Sequence, residues 1–309
     1  MATGLARTIA SERRHFLGVE RSVCGRAWCD RLDERASARA LAMVQRHGTP
    51  ELLARILAGR GVEVDDVESF LDPTVKRLMP DPDRLVDMTV AAARIADAVT
   101  RGERVAIFGD YDVDGATAVA VLARFLRQCG LDPLIHIPDR LFEGYGPNVE
   151  AVRTLAGRGA KLIVTVDCGT TSIEPLAEAG RLGVDVVVID HHLADERLPP
   201  AVAIVNPNRR DDLSGLGHLA AVGLAFMTVV AVNRALRQRA FWSDARPEPD
   251  LLELVDLVAL GTVADVVPLK GLNRAFVAKG LLAMRRRERV GLTALMDVSR
   301  MSGPPEPWH

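Results

Sequence analysis

The sequence has few cysteines and no arrangement of them that builds a disulfide framework or a zinc finger. Only four cysteines occur among 309 residues, and no two are spaced as a CxxC pair. A disulfide-stabilised domain or a zinc finger needs closely spaced cysteines, so both classes are excluded. The cysteine content fits a reducing compartment, and we expect a cytoplasmic location.

The sequence also lacks a long apolar run. No stretch approaches the roughly 18 to 20 uncharged apolar residues that span a bilayer. The first 26 residues hold five arginines, but Glu12 and Glu20 interrupt them and no apolar signal core follows. We therefore expect a soluble protein without membrane contact, with a disordered or poorly ordered start over residues 1–29.

No excess of positive charge marks the chain as a whole. The net charge is −2 and the pI is about 6.4, so any contact with nucleic acid must come from a local patch. With 48% hydrophobic and 26% charged residues, the chain is long enough for one large domain or two smaller ones with proper cores.

What the sequence does contain is a repeated alternation of strands and helices from residue 104 onward. Val- and Ile-rich runs without polar alternation are separated by helical patterns, the first of them over residues 116–128. Repeated strand and helix predict an α/β fold, a doubly wound, mostly parallel sheet flanked by helices. In such sheets, binding sites lie beyond the carboxyl ends of the strands.

Composition shifts and helix breaks predict four regions along the chain. In chain order they are the poorly ordered start at 1–29, a small helical N-terminal cap at 30–80, the α/β domain at 81–270 and a helical segment at 271–309.

Three carboxylates at alternate positions follow the first apolar run. The chain reads VAIFGDYDVDG, so a buried strand opens directly into Asp110, Asp112 and Asp114. A lone aspartate there is most simply a turn or N-cap residue, but three in alternation repel one another unless a cation lies among them. The string also matches the start of a calcium EF-hand loop, yet a strand precedes it and its last position is Val121 instead of glutamate. We therefore predict a metal site of another kind.

Further candidate ligands follow two later strands and a helical break. One strand ends in Asp167, another in Asp190, His191 and His192, and Asp265 lies at a predicted turn. Taken singly, each has a plain alternative: a strand-end cap for an aspartate, or a core or surface position for a histidine. Together, carboxylates and imidazoles without thiolates suit manganese or magnesium.

Several aspartates in one place imply more than one ion. Two divalent ions about 3.5 to 4 Å apart, bridged by a carboxylate, activate water and stabilise the attacking and leaving oxygens of a phosphodiester. The predicted reaction is therefore hydrolysis of a P–O bond.

The same motifs resemble those of the DHH phosphoesterases. That family carries motifs similar to DYDVDG, to VDCGTTS, to the triplet of Asp190, His191 and His192, and to GTVADVVPL, and all four occur here in the same order. Together with FLDPTVKRLMPDPDRL and IPDRLFEGYGPN, the set resembles the bacterial RecJ exonucleases, which degrade single-stranded DNA from the 5′ end. The resemblance covers residues 50–309.

The resemblance implies six ligands for two manganese or magnesium ions. They are Asp112, Asp114, Asp167, His191, His192 and Asp265. It also implies that Asp167 bridges the two ions, while Asp110 and Asp190 orient the ligands or the loop backbone.

Four residues are candidate contacts for substrate. Arg140 can hold a phosphate, Tyr145 can stack on a base, and Gly144 can let the backbone approach a strand. The alternative is an ordinary glycine loop with a solvated arginine. His218, at a predicted helix start, either reaches the metal centre or a phosphate, or is a plain capping residue.

The function implied by the resemblance is a 5′-to-3′ single-stranded-DNA exonuclease of DNA repair and recombination. It implies a monomer whose partners are single-stranded DNA, a single-strand-binding protein and a recombination helicase. Two alternatives stay open: a DHH phosphoesterase of short oligonucleotides or cyclic dinucleotides, and a non-catalytic nucleic-acid-binding fragment or scaffold. Such relatives continue into a second, glycine-rich domain that this sequence does not contain, so we expect a fragment with weakened DNA binding.

Overall fold

A computed structural model describes residues 15–309, which fall into two compact units. The first unit ends at Asp72, and the second runs from Pro73 to His309. The predicted cap extended to residue 80, but Val75 lies in the hydrophobic core of the second unit. The boundary therefore falls before this side chain, earlier than the sequence pattern suggested.

The start of the chain is described only in part. The sequence predicts a poorly ordered region at 1–29. Residues 1–14 of this region lie outside the described residues. From His15 onward the chain forms a single antiparallel bridge between His15 and Cys29 and a short 3-10 turn at Phe16–Gly18.

The first unit is built from helices. They are α1 (Glu34–His47), α2 (Glu51–Gly59) and α3 (Val67–Leu71). Met43 and Leu57 are fully buried between the first two. Asp33 caps α1 by accepting a hydrogen bond from the amide of Ala36, and Gly48 ends it in the left-handed conformation that glycine adopts without strain. The aspartate and the glycine therefore set the two ends of α1.

The second unit alternates strands and helices. Its elements are α4 (Val75–Leu78), α5 (Met88–Arg101), β1 (Val105–Gly109), α6 (Val113–Gln128), β2 (Leu134–His136), α7 (Val149–Gly157), β3 (Leu162–Val166), α8 (Ile173–Arg181), β4 (Asp185–Ile189), β5 (Ala203–Val205), α9 (Ala221–Gln238), α10 (Val255–Ala264), α11 (Gly271–Met284) and α12 (Val290–Val298). The five strands form one sheet in the order β2-β1-β3-β4-β5, and every pair is parallel. The predicted α/β fold is confirmed.

Both faces of the sheet are covered, as the unbroken apolar strands predict. Side chains alternate across a strand, so Val105 and Ile107 of β1 pack in one core while Ala106 and Phe108 pack in the other. The first core also contains residues of α5, α6 and α9, and the second contains residues of α7 and α8. Strands β1, β3, β4 and β5 are therefore almost wholly buried, while β2 at the edge of the sheet leaves Ile135 exposed.

Helix α6 begins at Val113, whereas the sequence pattern placed its start at residue 116. The reason is a cap: the side chain of Asp112 accepts a hydrogen bond from the amide of Gly115 at 2.8 Å. Asp114 consequently lies in the first helical turn, where it is buried, and not in a loop.

The last helices pack onto the sheet-forming unit. Helix α10 contacts α6, α9 and α11, and both α11 and α12 lie within residues 271–309. Among the described residues, no helix is long and apolar enough to cross a membrane.

Candidate metal centre

Three neighbouring strands deliver aspartates to one edge of the sheet. Strands β1, β3 and β4 are adjacent and parallel, and their last residues lie in register. Asp110, Asp167 and Asp190 each follow directly after one of these strands. They therefore lie side by side at the carboxyl edge, which is where the strand-end rule predicted a site.

The candidate ligand atoms form three groups, within each of which the atoms lie within 4.8 Å of one another. We call Asp110, Asp112 and Asp167 the carboxylate group, and Asp114, His191 and Asp265 the mixed group; the third contains Asp167, His191 and His192. All six predicted ligands occur in these groups. Asp167 belongs to two of them, as expected of a bridging carboxylate. Asp110, which we expected only to orient other residues, also belongs to one.

The centre of the site contains atoms that need a proton or a cation between them. Oδ1 of Asp167 is buried without a well-aligned hydrogen bond, and Nε2 of His191 lies 3.2 Å from it. Oδ2 of Asp265 is likewise buried without a hydrogen bond, 3.8 Å from Nδ1 of His191. Burial raises the pKa of Asp167 to about 8, and the charge of Asp114 adds to this although His191 opposes it. Hard carboxylate oxygens and an imidazole in this state fit a divalent cation.

Asp114 is held by the start of helix α9. Its Oδ2 accepts a hydrogen bond from the amide of Ala221 at 2.6 Å, and its Oδ1 accepts one from Val222 at 2.9 Å. Burial nevertheless dominates and raises the pKa of Asp114 to about 6. Amides at a helix N-terminus favour a negative charge, so the fold itself balances part of the charge on this ligand.

A close approach of α10 to α6 brings Asp265 to the same place. A Cβ on Gly261 of α10 would lie 2.3 Å from Oγ1 of Thr117 and 3.0 Å from Oδ1 of Asp114. Only glycine permits this packing. Asp265 follows as the C-terminal cap residue of α10, and burial raises its pKa despite the opposing charge of His191.

His191 is oriented by a main-chain carbonyl. Its Nδ1 lies 3.0 Å from the carbonyl oxygen of Leu219 and donates to it, which leaves Nε2 as the atom facing Asp167 and Asp114. Burial lowers the pKa of His191, but the nearby Asp167 and Asp114 outweigh it and raise the pKa to about 9. Before a metal binds, His191 and Asp167 thus share a proton at neutral pH.

Asp190 organises the loop that carries the two histidines. Its carboxylate accepts hydrogen bonds from the amides of Thr170, His191 and His192 and from Nδ1 of His192 at 2.8 Å. Burial would raise the pKa of Asp190, but the hydrogen bonds from His192 and Thr170 prevail and lower it to about 2. Asp190 belongs to none of the candidate ligand groups. The orienting role that the resemblance implies for it stays a prediction.

Two asparagines that the sequence analysis missed hold the same loop. Nδ2 of Asn206 donates to the carbonyl oxygen of His192 and to Oγ1 of Thr170, each at 2.9 Å, and Nδ2 of Asn208 donates to the carbonyl oxygen of His191. Asn206 is fully buried and follows β5 directly, so the strand-end rule could have identified it. Asn208 carries no comparable signal in the sequence.

The candidate substrate residues of the 137–148 segment lie near the metal centre. The hydroxyl of Tyr145 donates to the carbonyl oxygen of Asp167 at 2.9 Å and lies 3.1 Å from Nδ1 of His192. Burial and the surrounding carboxylates raise the pKa of Tyr145, so this hydroxyl stays protonated. Arg140 is exposed, with its guanidinium carbon 5.4 Å from the ring centroid of Tyr111. Tyr145 is therefore part of the centre, and Arg140 lies at its rim.

The remaining two candidate contacts for substrate, Gly144 and His218, lie in different surroundings. Gly144 adopts a φ of +81°, and a Cβ there would meet no atom within 4 Å, so the backbone is open to an approaching chain. His218 belongs to none of the candidate ligand groups and lies beside the start of α11, with Nε2 3.9 Å from the position of a Cβ on Gly271. Burial and the charge of Lys270 lower its pKa. The structure thus does not bring His218 among the ligands.

Comparison with known proteins places these residues in a family. The model of the DHH family, N-terminal domain, matches residues 104–262. The single-stranded-DNA-specific exonuclease RecJ of Salmonella typhimurium is 42% identical over 254 residues, which are 81% of this chain and 43% of that protein.

Solved structures agree with the sequence match. RecJ of Thermus thermophilus in complex with Mn²⁺ is 32% identical with a TM-score of 0.68, over 84% of this chain and 35% of the other. RecJ of the same organism in complex with Mg²⁺ gives 29% identity and a TM-score of 0.57, over 84% of this chain and 32% of the other. The present chain therefore spans less than half the length of each of these proteins.

Proposed function

The chain belongs to the DHH family, and we propose that it is a divalent-metal-dependent phosphodiesterase that removes nucleotides from the 5′ end of single-stranded DNA. The observation that carries the proposal is the set of adjoining ligand groups, two of which share Asp167, with buried carboxylate oxygens at their centre that lack a hydrogen bond. The similarity to proteins named single-stranded-DNA-specific exonucleases supports the choice of substrate.

The residues present assign a role to each part of the site. Asp110 and Asp112, with Asp167, would hold one Mn²⁺ or Mg²⁺ ion, and the mixed group would hold the second. Such ions supply an activated water and neutralise charge on the leaving oxygen. Asp167 belongs to the first of these groups, and its Oδ1 lies 3.2 Å from Nε2 of His191 in the second. Its carbonyl oxygen accepts a hydrogen bond from the hydroxyl of Tyr145.

The chain's own residues would bind and orient the scissile phosphate. Arg140 at the rim offers a planar guanidinium that pairs with phosphate oxygens, and the open backbone at Gly144 leaves room for the strand. His192 is fixed by Asp190 through Nδ1, so its Nε2 is the free ring atom. His218 has no part in this proposal.

Several finer expectations from the sequence extend the proposal. They are a role in DNA repair and recombination, a cytoplasmic location, a monomeric state, and partnership with a single-strand-binding protein and a recombination helicase. Each stays a prediction.

The test compares the chain with its Asp167→Asn variant on a 5′-labelled single-stranded oligonucleotide, its duplex and a dinucleotide. We expect Mn²⁺-dependent release of 5′ nucleotides from the single strand, with little cleavage of the duplex and none by the variant. Equal cleavage by the variant, or cleavage that survives a chelator, would overturn the proposal. A preference for the dinucleotide would favour a short-oligonucleotide phosphoesterase, and absence of Mn²⁺ binding in calorimetry would favour a scaffold.

A further inference from the structure

The tip of the loop between β2 and α7 presents two large apolar side chains to solvent. Leu141 is 86% exposed and Phe142 is 88% exposed. Among the aromatic residues that the structure describes, none is more exposed than Phe142. A phenyl ring in water is unfavourable compared with a buried one, so this position invites a contact with another molecule.

The loop holds this ring outward by hydrogen bonds on both sides. Oδ1 of Asp139 accepts from the amides of Leu141 and Phe142 at 2.8 and 3.3 Å. Glu143 accepts from the amide of Asp139 at 3.0 Å, and its Oε2 lies 2.8 Å from Nε2 of His136. The exposure of Phe142 therefore comes from an ordered turn, and little conformational entropy is lost when the ring binds.

The tip lies between two residues that are anchored at the metal centre. Arg140 rests over the ring of Tyr111, which follows directly after the candidate ligand Asp110. Tyr145 contacts the carbonyl oxygen of Asp167. Three residues span at most about 11 Å of chain, so Phe142 is within one or two nucleotides' reach of Tyr145.

We propose that Phe142 is a substrate-binding residue that stacks on a nucleobase of the single strand whose phosphate lies at the metal centre. The inference rests on the proposed function and extends it to the origin of strand selectivity. A single strand exposes the faces of its bases, every base has such a face, and a stacked duplex does not offer one to this ring. The carboxylates of Asp139 and Glu143 are engaged within the turn, and the guanidinium of Arg140 is exposed beside the ring, which favours a polyanion over an apolar protein surface as the occupant.

The variants separate stacking from general apolarity. Phe142→Tyr keeps an aromatic ring, Phe142→Leu keeps an apolar side chain without a ring, and Leu141→Ala is the matched control at the adjacent exposed position. Because both side chains are almost fully exposed, these changes should leave the melting temperature unaltered. Substrates are oligo-dT with a 5′ label and a series in which one abasic residue is moved along the first positions.

We expect Phe142→Leu to raise the KM for oligo-dT about tenfold, within the range measured for loss of one base–aromatic stack, with kcat unchanged. Phe142→Tyr and Leu141→Ala should behave as the parent chain. In the parent chain, one abasic position should raise KM by a similar factor, and the same abasic position should have no further effect in Phe142→Leu.

Two results would overturn the stacking role: an unchanged KM in Phe142→Leu, or an abasic effect of equal size in the parent and in this variant. Fluorescence anisotropy with labelled oligo-dT in the presence of a chelator measures binding without cleavage. A chain that binds through Phe142 but does not cleave with Mn²⁺ would refute the proposed function alone. A chain that cleaves normally without the ring would refute the stacking role alone.

Discussion

Two of the ligand groups of the metal centre, the carboxylate group and the mixed group, differ in how their charge is balanced. The carboxylate group consists of three aspartates, and burial together with the charge of Asp112 raises the pKa of Asp110. In the mixed group, Asp114 accepts two amide hydrogen bonds from α9 and faces His191. The mixed group therefore holds two carboxylates and one imidazole, whereas the carboxylate group holds three carboxylates and meets that imidazole only at Asp167, so it gains more from a cation.

The largest effect should come from Asp167→Asn, which removes a residue that belongs to the carboxylate group and also, with His191 and His192, to the third group. We expect phosphodiesterase activity to fall by more than about 100-fold. That is the largest loss usual for residues that only hydrogen-bond to a metal ligand, and Asp167 is itself a candidate ligand. Asp132→Asn, which changes an exposed partner of Arg127, is the matched control. Retention of more than a tenth of the activity in Asp167→Asn would mean that the groups do not work together.

The second-largest effect is expected at Asn208, which contacts the loop that carries His191 and His192. Asn208→Ala removes the donor to the carbonyl oxygen of His191 and should weaken Mn²⁺ binding about 10- to 100-fold. Calorimetry measures the affinity, and circular dichroism checks that the chain remains folded. Asn148→Ala removes an asparagine that caps α7 and should leave Mn²⁺ affinity unchanged. Equal affinities in both variants would contradict the role of Asn208.

The pH dependence of stability should reveal the proton shared at the centre. Asp167 titrates at about 8 in the folded chain and at 3.8 ordinarily, so the folded state binds more protons between these values. His191, raised from 6.5 to about 9, acts in the same direction. The metal-free melting temperature should therefore fall as the pH rises from 6 to 9, since the folded state loses this advantage.

Added Mn²⁺ should reverse that loss, and more so at high pH, because the ion competes with the shared proton. A free ion concentration 100 times the dissociation constant stabilises by about 2.7 kcal/mol. Melting curves at pH 6 and pH 9, with and without Mn²⁺, provide the measurement. A metal-free melting temperature that rises over this range would show that the centre does not hold the proton.

The smallest effect compares the two groups directly in the metal-free chain. Asp112→Asn keeps a residue that caps α6 and relieves repulsion in the carboxylate group, so it should raise the melting temperature by about 2 to 4 °C for each kcal/mol gained. Asp265→Asn removes a carboxylate that already faces His191 and should raise it less. If Asp112→Asn and Asp265→Asn raise the melting temperature equally, the charges of the two groups are balanced to the same extent.

Much of the site was predictable because its ligands follow strands. The apolar runs before Asp110, Asp167 and Asp190 identify three parallel strands, and the strand-end rule then places these aspartates together. The separation of Asp114 from Asp110 and Asp112 was not predictable, because it depends on α6 beginning at Val113. The contact of Asn208 was also hidden, since it depends on the path of the loop that follows β5.

The candidate contacts with substrate show the same division. Tyr145 and Arg140 were identified from their residue types, and the structure places the first against Asp167 and the second at the rim. His218 was identified in the same way, yet it lies beside α11, outside the ligand groups. A residue at a helix start carries too little local information to fix which neighbour its side chain meets.

The sequence by itself determined which ligand types are present, their order along the chain and the edge of the sheet where they gather, because strand patterns and strand ends are local properties. Only the tertiary structure decided which carboxylates share an ion. Asp265 reaches Asp114 through the packing of α10 on α6 at Gly261, and Asp114 is held by the first amides of α9. Such distances are set by helices far apart in the chain, where local patterns carry no information.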